Sequence, residues 1–244
     1  MSPARKRADI VLVERGLFES RNRARAAIEA GHVIADGRPL TRPSDPIAPD
    51  AVLQAEPAHP FVSRGGVKLE GALERYPLPI ENRVCLDIGA STGGFSQVLL
   101  QRGAAKVYAI DVGRGQLHPS LAGEERLVSL EQTDIRSLDA SALPQRPAVI
   151  VIDVSFISLK AVLPAALSLA ATPATLLALI KPQFEAGRAH NKHGIVRDHE
   201  LHRAICDDIA DLAAALGCDH IATFPSPITG GDGNIEFFLG ARHG

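Results

Sequence analysis

The stretch Val84-Cys85-Leu86-Asp87-Ile88, followed at once by Gly89-Ala90-Ser91-Thr92-Gly93-Gly94-Phe95, constrains this chain more than any other feature. A short apolar run that breaks into glycines and resumes as the apolar segment 95–101 reads as a strand, a tight turn and a helix. Glycines at such a turn let a ligand approach the backbone, and the first N–H groups of the helix lie free to meet it. The spacing, with glycines at 89, 93 and 94, is neither Gly-x-Gly-x-x-Gly nor a phosphate loop ending in Gly-Lys-Ser/Thr. That argues against a dinucleotide or a triphosphate. A glycine turn with no pyrophosphate grip suits a nucleoside ligand whose tail is an amino acid.

Strand and helix patterns alternate after this point. Strands are predicted at 107–110, 127–130, 148–152, 176–180, 221–224 and 235–239, and helices at 65–76, 159–171 and 200–216. Apolar strands alternating with amphipathic helices predict a parallel sheet covered by helices on both faces. Asp111 ends the strand after the glycine turn, 24 residues beyond Asp87. A carboxylate there can accept hydrogen bonds from ribose hydroxyls. Asp134 follows the third strand, where it can accept from an adenine amino group or cap a helix.

The first 60 residues have a different texture. Helices are predicted at 8–15 and 21–30, the second capped by Ser20, followed by a strand at 33–35, an Asp36-Gly37 turn and a strand at 52–53. Seven Lys/Arg stand against three Asp/Glu in the first 25 residues, while the whole chain of 244 residues carries a net charge of −2. Any nucleic-acid surface is therefore local and N-terminal. The three cysteines, Cys85, Cys206 and Cys218, form no Cys-x-x-Cys pair, so no metal site and no disulfide framework is expected and a cytoplasmic setting is. The N-terminus has no apolar signal segment. Residues 161–180 are uncharged, but Pro164 and Pro173 interrupt them, which reads as a buried helix and strand rather than a membrane span. His190, His193 and His199 are irregularly spaced, and the 187–198 stretch with Arg188, Lys192 and Arg197 reads as a substrate loop rather than a zinc site.

Longer motifs run through the chain in order. They are Ser63-Arg64-Gly65-Gly66-Val67-Lys68-Leu69, the Asp87–Ser96 stretch, Asp153-Val154-Ser155-Phe156-Ile157-Ser158, Leu179-Ile180-Lys181-Pro182-Gln183-Phe184-Glu185 and Gly230-Gly231-Asp232-Gly233-Asn234-Ile235-Glu236. Together they closely resemble the TlyA family of rRNA methyltransferases, some of which carry an older haemolysin label. Leu12, Arg15-Gly16-Leu17-Phe18, Ser20-Arg21, Ala24, Ile28, Ala30-Gly31 and Val33 resemble the RNA-binding domain named after small-subunit ribosomal protein four. The resemblance implies an α/β fold: a Rossmann-like class I methyltransferase sheet with helices on both faces, at 64–244. It also implies a small α+β RNA-binding domain at 1–58 and a linker at 59–63.

The implied cofactor is S-adenosyl-L-methionine, held by Asp87, Gly89, Ala90, Ser91, Thr92, Gly93, Gly94, Phe95, Asp111 and Asp134. The second part is similar to FtsJ-type ribose methyltransferases, whose Lys-Asp-Lys-Glu tetrad falls on Lys68, Asp153, Lys181 and Glu236. The implied reaction methylates a ribose 2′-OH, expectedly on a cytidine of rRNA in a ribosomal subunit, with no membrane and no obligate protein partner. A positioned lysine beside that hydroxyl serves as base when neutral or stabilises the developing alkoxide when charged, and Lys181 is the candidate. Arg5, Lys6, Arg7, Arg15, Arg21, Arg23, Arg25, Arg64, Arg188 and Lys192 are the candidate RNA contacts. Phe156 and Phe184 are expected either to stack on a flipped nucleotide or to pack in the core. The rival readings are a dehydrogenase, a non-catalytic RNA-binding factor and a cytolysin.

Overall fold

The computed structural model describes residues 4–186 and 194–244. Arg188, Lys192, His190 and His193 lie outside the described residues. The chain forms two compact units, residues 1–60 and 61–244.

In the first unit, β1 (Lys6–Arg7) leads into α1 (Ala8–Glu14) and α2 (Arg21–Glu29). Four short strands follow: β2 (Val33–Ala35), β3 (Arg38–Pro39), β4 (Pro46–Ile47) and β5 (Leu53–Ala55). The Ser20 hydroxyl accepts from the Arg23 N–H and caps α2 as its sequence position predicts. Asp36 and Gly37 both take positive φ and turn β2 into β3, while β5 pairs with the other side of β2. Val11, Leu12, Phe18, Ala24, Ile28, Val33, Leu40 and Ile47 close a small core of their own.

The second unit is built on a seven-stranded sheet. Its elements are α3 (Arg64–Arg75), β6 (Val84–Ile88), α4 (Gly94–Gln101), β7 (Lys106–Ile110), β8 (Leu127–Leu130) and β9 (Val149–Ile152). They continue with α5 (Leu159–Leu169), β10 (Ala174–Ile180), the short α6 (Pro182–Glu185), α7 (His199–Ala215), β11 (Cys218–Pro225) and β12 (Phe237–His243). The spatial order is β11-β12-β10-β9-β6-β7-β8. Strands β10, β9, β6, β7 and β8 are parallel, whereas β12 runs antiparallel between β10 and β11. The sheet is mostly parallel, as expected, and one antiparallel strand, β12, enters it at the closing edge.

Period-two alternation sorts the strand side chains onto two faces. Cys85, Val107, Val149, Val151, Leu177 and Leu179 pack with α3 and α4 through Leu69, Val98 and Leu99. Leu86, Tyr108, Ile150, Ile152, Leu176 and Ala178 pack with α5 and α7 through Leu163, Ile205 and Ile209. Strands buried on both faces read as continuous apolar runs, and Val149–Ile152 is such a run. Pro164 sits inside α5 without ending it, and the uncharged 161–180 stretch is a buried helix and strand. Among the described residues no helix is long and apolar enough to cross a membrane.

Candidate active site

β6 ends at Ile88, and the chain turns at Gly89 with φ of +83°. A Cβ at Gly89 would lie 2.4 Å from the Asp153 carbonyl oxygen, so the turn requires glycine for conformation and for close approach. Gly93 is the N-cap of α4 at φ +89°, and Leu117 and Leu121 occupy the space where its side chain would stand. Between them Ser91 is held at φ +47°. Its N–H donates to Asp111 Oδ2 at 2.8 Å, and the Gly113 N–H donates to Asp111 Oδ1 at 2.7 Å. Asp111 thus braces the turn from the end of β7 while keeping lone pairs for a ligand.

The other candidate cofactor residues take different places. Ala90 donates its N–H to the Ile110 carbonyl, and the Thr92 carbonyl accepts from the His118 N–H. Phe95 is 3% exposed with its ring stacked toward Phe238, so its side chain belongs to the core. Asp134 caps a short turn at Ile135–Ser137 and pairs with Arg136 at 2.6 Å, which lowers its pKa. The capping alternative for Asp134 is the one this geometry displays.

Asp87 is fully buried. Its Oδ2 accepts from the Ser96 hydroxyl at 2.6 Å, and its Oδ1 has no hydrogen-bond partner among the described residues. Burial pushes this carboxyl up to about 7, against the opposing pull of the Ser96 hydrogen bond. A dry, half-satisfied acceptor beside a glycine turn fits a ligand bearing N–H or O–H donors.

The tetrad candidates come together as two ion pairs. Lys68 Nζ lies 2.6 Å from Glu236 Oε2, both nearly buried. Lys181 Nζ lies 2.6 Å from Asp153 Oδ1 and donates to Ser155 Oγ at 2.8 Å. Strand register explains the convergence. Ile152 is level with Ile88 and Ala178, so Asp153 leaves β9 at the carboxyl edge of the sheet. Ile180 is level with Phe237, so Lys181 leaves β10 where Glu236 enters β12. This edge is where open α/β sheets place their ligands.

Two motifs are fastened to each other at several points. Besides the Lys181–Asp153 pair, the Phe156 and Phe184 rings meet at a centroid distance of 5.1 Å. Glu185 accepts from the Ser158 hydroxyl at 2.5 Å and from the Leu159 N–H at 2.8 Å. Phe156 is 90% exposed and has φ of +65°, an outlying conformation for a bulky residue. Core packing is therefore excluded for it. Ser155 and Glu131 were not singled out from sequence. Nothing in a lone Ser or Glu marks a hydrogen-bonding role that only tertiary structure creates.

The N-terminal cations are woven into their own unit. Arg7 and Arg21 both bind the buried Asp9, at 2.9 and 2.7 Å, and Lys6 pairs with Glu14 at 2.9 Å. The Arg7 hydrogen bond, ahead of a smaller opposing effect of burial and a further bond from Arg21, holds Asp9 down at about 2. Arg15 donates to the Ala51 carbonyl at 2.5 Å and Arg25 lies 3.8 Å from Glu29. Arg5 is exposed, and the Arg23 N–H is the donor to the Ser20 cap. In the second unit Arg64 donates to the Thr229 carbonyl at 2.5 Å. Arg7 and Arg21 remain about half exposed, and a guanidinium has five donors, so each retains capacity for a phosphate.

Residues 61–243 match the FtsJ-like methyltransferase family and residues 6–53 match the S4 domain. The chain is 45% identical to the 16S/23S rRNA (cytidine-2′-O)-methyltransferase TlyA of Mycobacterium tuberculosis, covering 98% of this chain and 90% of that one. It is 38% identical to Hemolysin A of Brachyspira hyodysenteriae, over 95% of this chain and 97% of the relative. A solved structure from Streptococcus thermophilus, also named for haemolysin, superposes with a TM-score of 0.78 at 38% identity. It covers all of this chain and 90% of the other.

Proposed function

The chain belongs to the FtsJ-like methyltransferase family, with an S4 domain ahead of the methyltransferase, and from that premise we propose that it methylates a cytidine ribose 2′-OH of ribosomal RNA. The observation that carries this reading is Lys181, bound to Asp153 and Ser155 at the carboxyl edge of the sheet beside the Lys68–Glu236 pair. The cofactor is S-adenosyl-L-methionine, which when bound supplies an electrophilic methyl group on a sulfonium. The residues that fit it are the Gly89–Gly94 turn, Asp111 as ribose acceptor and Asp87 with its unpartnered buried oxygen. Phe95 contributes through its backbone and Asp134 through the turn it caps.

The reaction is an in-line displacement, so the acceptor oxygen has to be aligned and its proton removed as attack proceeds. Lys181 Nζ is assigned to the 2′-oxygen. It donates to Ser155 Oγ and forms an ion pair with Asp153, and these two contacts hold the nitrogen at the sheet edge. A charged amine there orients the oxygen and stabilises the charge that grows on it, and a neutral amine there takes the hydroxyl proton directly and becomes the ammonium. Asp153 positions Lys181, and Glu236 positions Lys68, which adds a second cation at the same edge. Phe156, exposed beside Phe184, offers a face on which the target base stacks. Arg5, Lys6, Arg7, Arg15, Arg21, Arg23, Arg25 and Arg64 are assigned to rRNA phosphates, together with Arg188 and Lys192. The acting form works in the cytoplasm, where ribosomal subunits are its substrate. The boundary between the RNA-binding and catalytic parts lies in residues 59–63.

The test uses subunits from cells lacking the gene, purified protein and methyl-labelled S-adenosylmethionine. Label is expected in rRNA at alkali-resistant dinucleotides with cytidine on the 5′ side. Label on a base, or none in either subunit, would overturn the reading.

A further inference from the structure

The loop that follows β7 is organised by a carboxylate outside the motifs discussed so far. Glu131 lies one residue beyond β8. It accepts from three successive backbone N–H groups: Gly115 to Oε2, and Gln116 and Leu117 to Oε1 at 2.8 and 3.3 Å. These bonds, the Gly115 one first, lower its pKa, so it is an anion under physiological conditions. The loop is also tied at its root, where the Gln132 N–H donates to the Gly113 carbonyl and the Thr133 N–H to the Asp111 carbonyl. The Thr133 hydroxyl donates to the carbonyl of Glu131 itself. At its far end the loop lies on the glycine turn. The His118 N–H reaches the Thr92 carbonyl at 3.2 Å, and Leu117 and Leu121 pack over Gly93.

We propose that Glu131 is a positioning residue of the cofactor site, gathering the N–H groups of residues 115–117 so that the 113–121 loop is held against the Ser91–Gly93 turn. This rests on the assignment of that turn to S-adenosylmethionine. Glu131 acts at a distance from the ligand; it sets the shape of the wall that Leu117 and Leu121 give to the turn. A backbone segment presenting consecutive N–H groups attracts an anion, and here the chain supplies its own. Without it the three donors would face solvent and the loop would lose its reason to adopt one conformation.

The variant to test is Glu131→Gln in the full chain. Its amide nitrogen cannot accept, so one of the two groups of N–H bonds is replaced by a donor facing donors. The dissociation constant of S-adenosylhomocysteine, read by calorimetry, is expected to rise about tenfold, the low end for loss of a charged hydrogen bond. The KM for S-adenosylmethionine should rise in parallel. At saturating cofactor kcat should stay within about twofold and the KM for ribosomal subunits should not move, because the tetrad is untouched. Glu131→Asp, which keeps both oxygens on a shorter arm, should recover part of the affinity. A purely structural role would lower the melting temperature and leave cofactor affinity alone. Unchanged binding in Glu131→Gln, with an active wild type, overturns this inference and leaves the proposed function standing. A wild-type protein that neither binds S-adenosylhomocysteine nor methylates subunits overturns both.

Discussion

At Lys181 an ammonium is fixed by Asp153 on one side and Ser155 on the other, so removing it takes away the group assigned to the 2′-oxygen without touching the glycine turn. Positioned proton transfer contributes about 10²- to 10⁴-fold, and Lys181→Ala should lose methyl transfer by that order. The measurement is single-turnover transfer to ribosomal subunits, alongside S-adenosylhomocysteine affinity, which should not change. Near-wild-type transfer would sink the assignment. Asp87 offers a test of another kind. Its folded-state pKa of about 7 stands above the ordinary 3.8, so the folded protein binds the extra proton between those values. Stability from this group is therefore present at low pH and lost as pH rises from about 4 through about 7. Asp87→Asn keeps an oxygen for the Ser96 hydroxyl and has no charge to bury. Its melting temperature relative to wild type should climb between pH 5 and pH 8; a difference that stays flat over that range would refute the raised pKa. Of these residues, Lys181 was legible because it stands inside a long motif. The burial of Asp87 was not, because it depends on α4 folding over β6.

Between α5 and α6, function hangs on how two short segments are fastened together. Phe184 and Glu185 leave β10 and grip Phe156, Ser158 and the start of α5, so the loop after β9 is held in a conformation that exposes the Phe156 ring. Because that ring is 90% exposed, Phe156→Ala should leave thermal stability within about 0.5 kcal/mol, the usual range for surface changes. Base stacking on an aromatic ring is worth about 1–3 kcal/mol, so the same variant should weaken use of the rRNA substrate by roughly tenfold or more. A filter-binding and kinetic comparison of wild type and variant reads both effects, and a large loss of stability with unchanged rRNA affinity would return Phe156 to a packing role. Helix and strand positions were largely legible here from apolar periodicity and from the Ser20 cap, whereas the Ser158 cap of α5 emerged only from the structure. The direction of β12 was not. Whether a strand enters a sheet parallel or antiparallel is decided by where the connection 226–236 returns, and that connection carries no local pattern that fixes its course.

Two cores, one behind α1 and α2 and the other around the seven-stranded sheet, make each unit of the chain a separate folding problem. The sequence announced this by its change of texture near residue 60, where a basic, weakly apolar stretch gives way to apolar strands at regular intervals. It could not announce how far the N-terminal cations would be committed to internal pairs, because Asp9 reads as an ordinary helix-start acid until Arg7 and Arg21 close on it. That commitment shapes what removal of the first unit should do. The larger core is built from residues of the second unit, with Phe61 at its margin, so a chain beginning at Phe61 should melt cooperatively. It should also lose the phosphate contacts assigned to Arg5, Lys6, Arg7, Arg15, Arg21, Arg23 and Arg25. Each phosphate contact on a single strand contributes about 0.7 to the slope of log affinity against log salt. The shortened chain should therefore bind ribosomal subunits more weakly at low salt and with a slope flatter by about 5, the sum for seven contacts. An equilibrium titration of both chains across a range of KCl concentrations measures this. Equal slopes would mean that the rRNA charge is read by the methyltransferase unit, and the N-terminal cations would then serve Asp9 and the fold of their own unit alone.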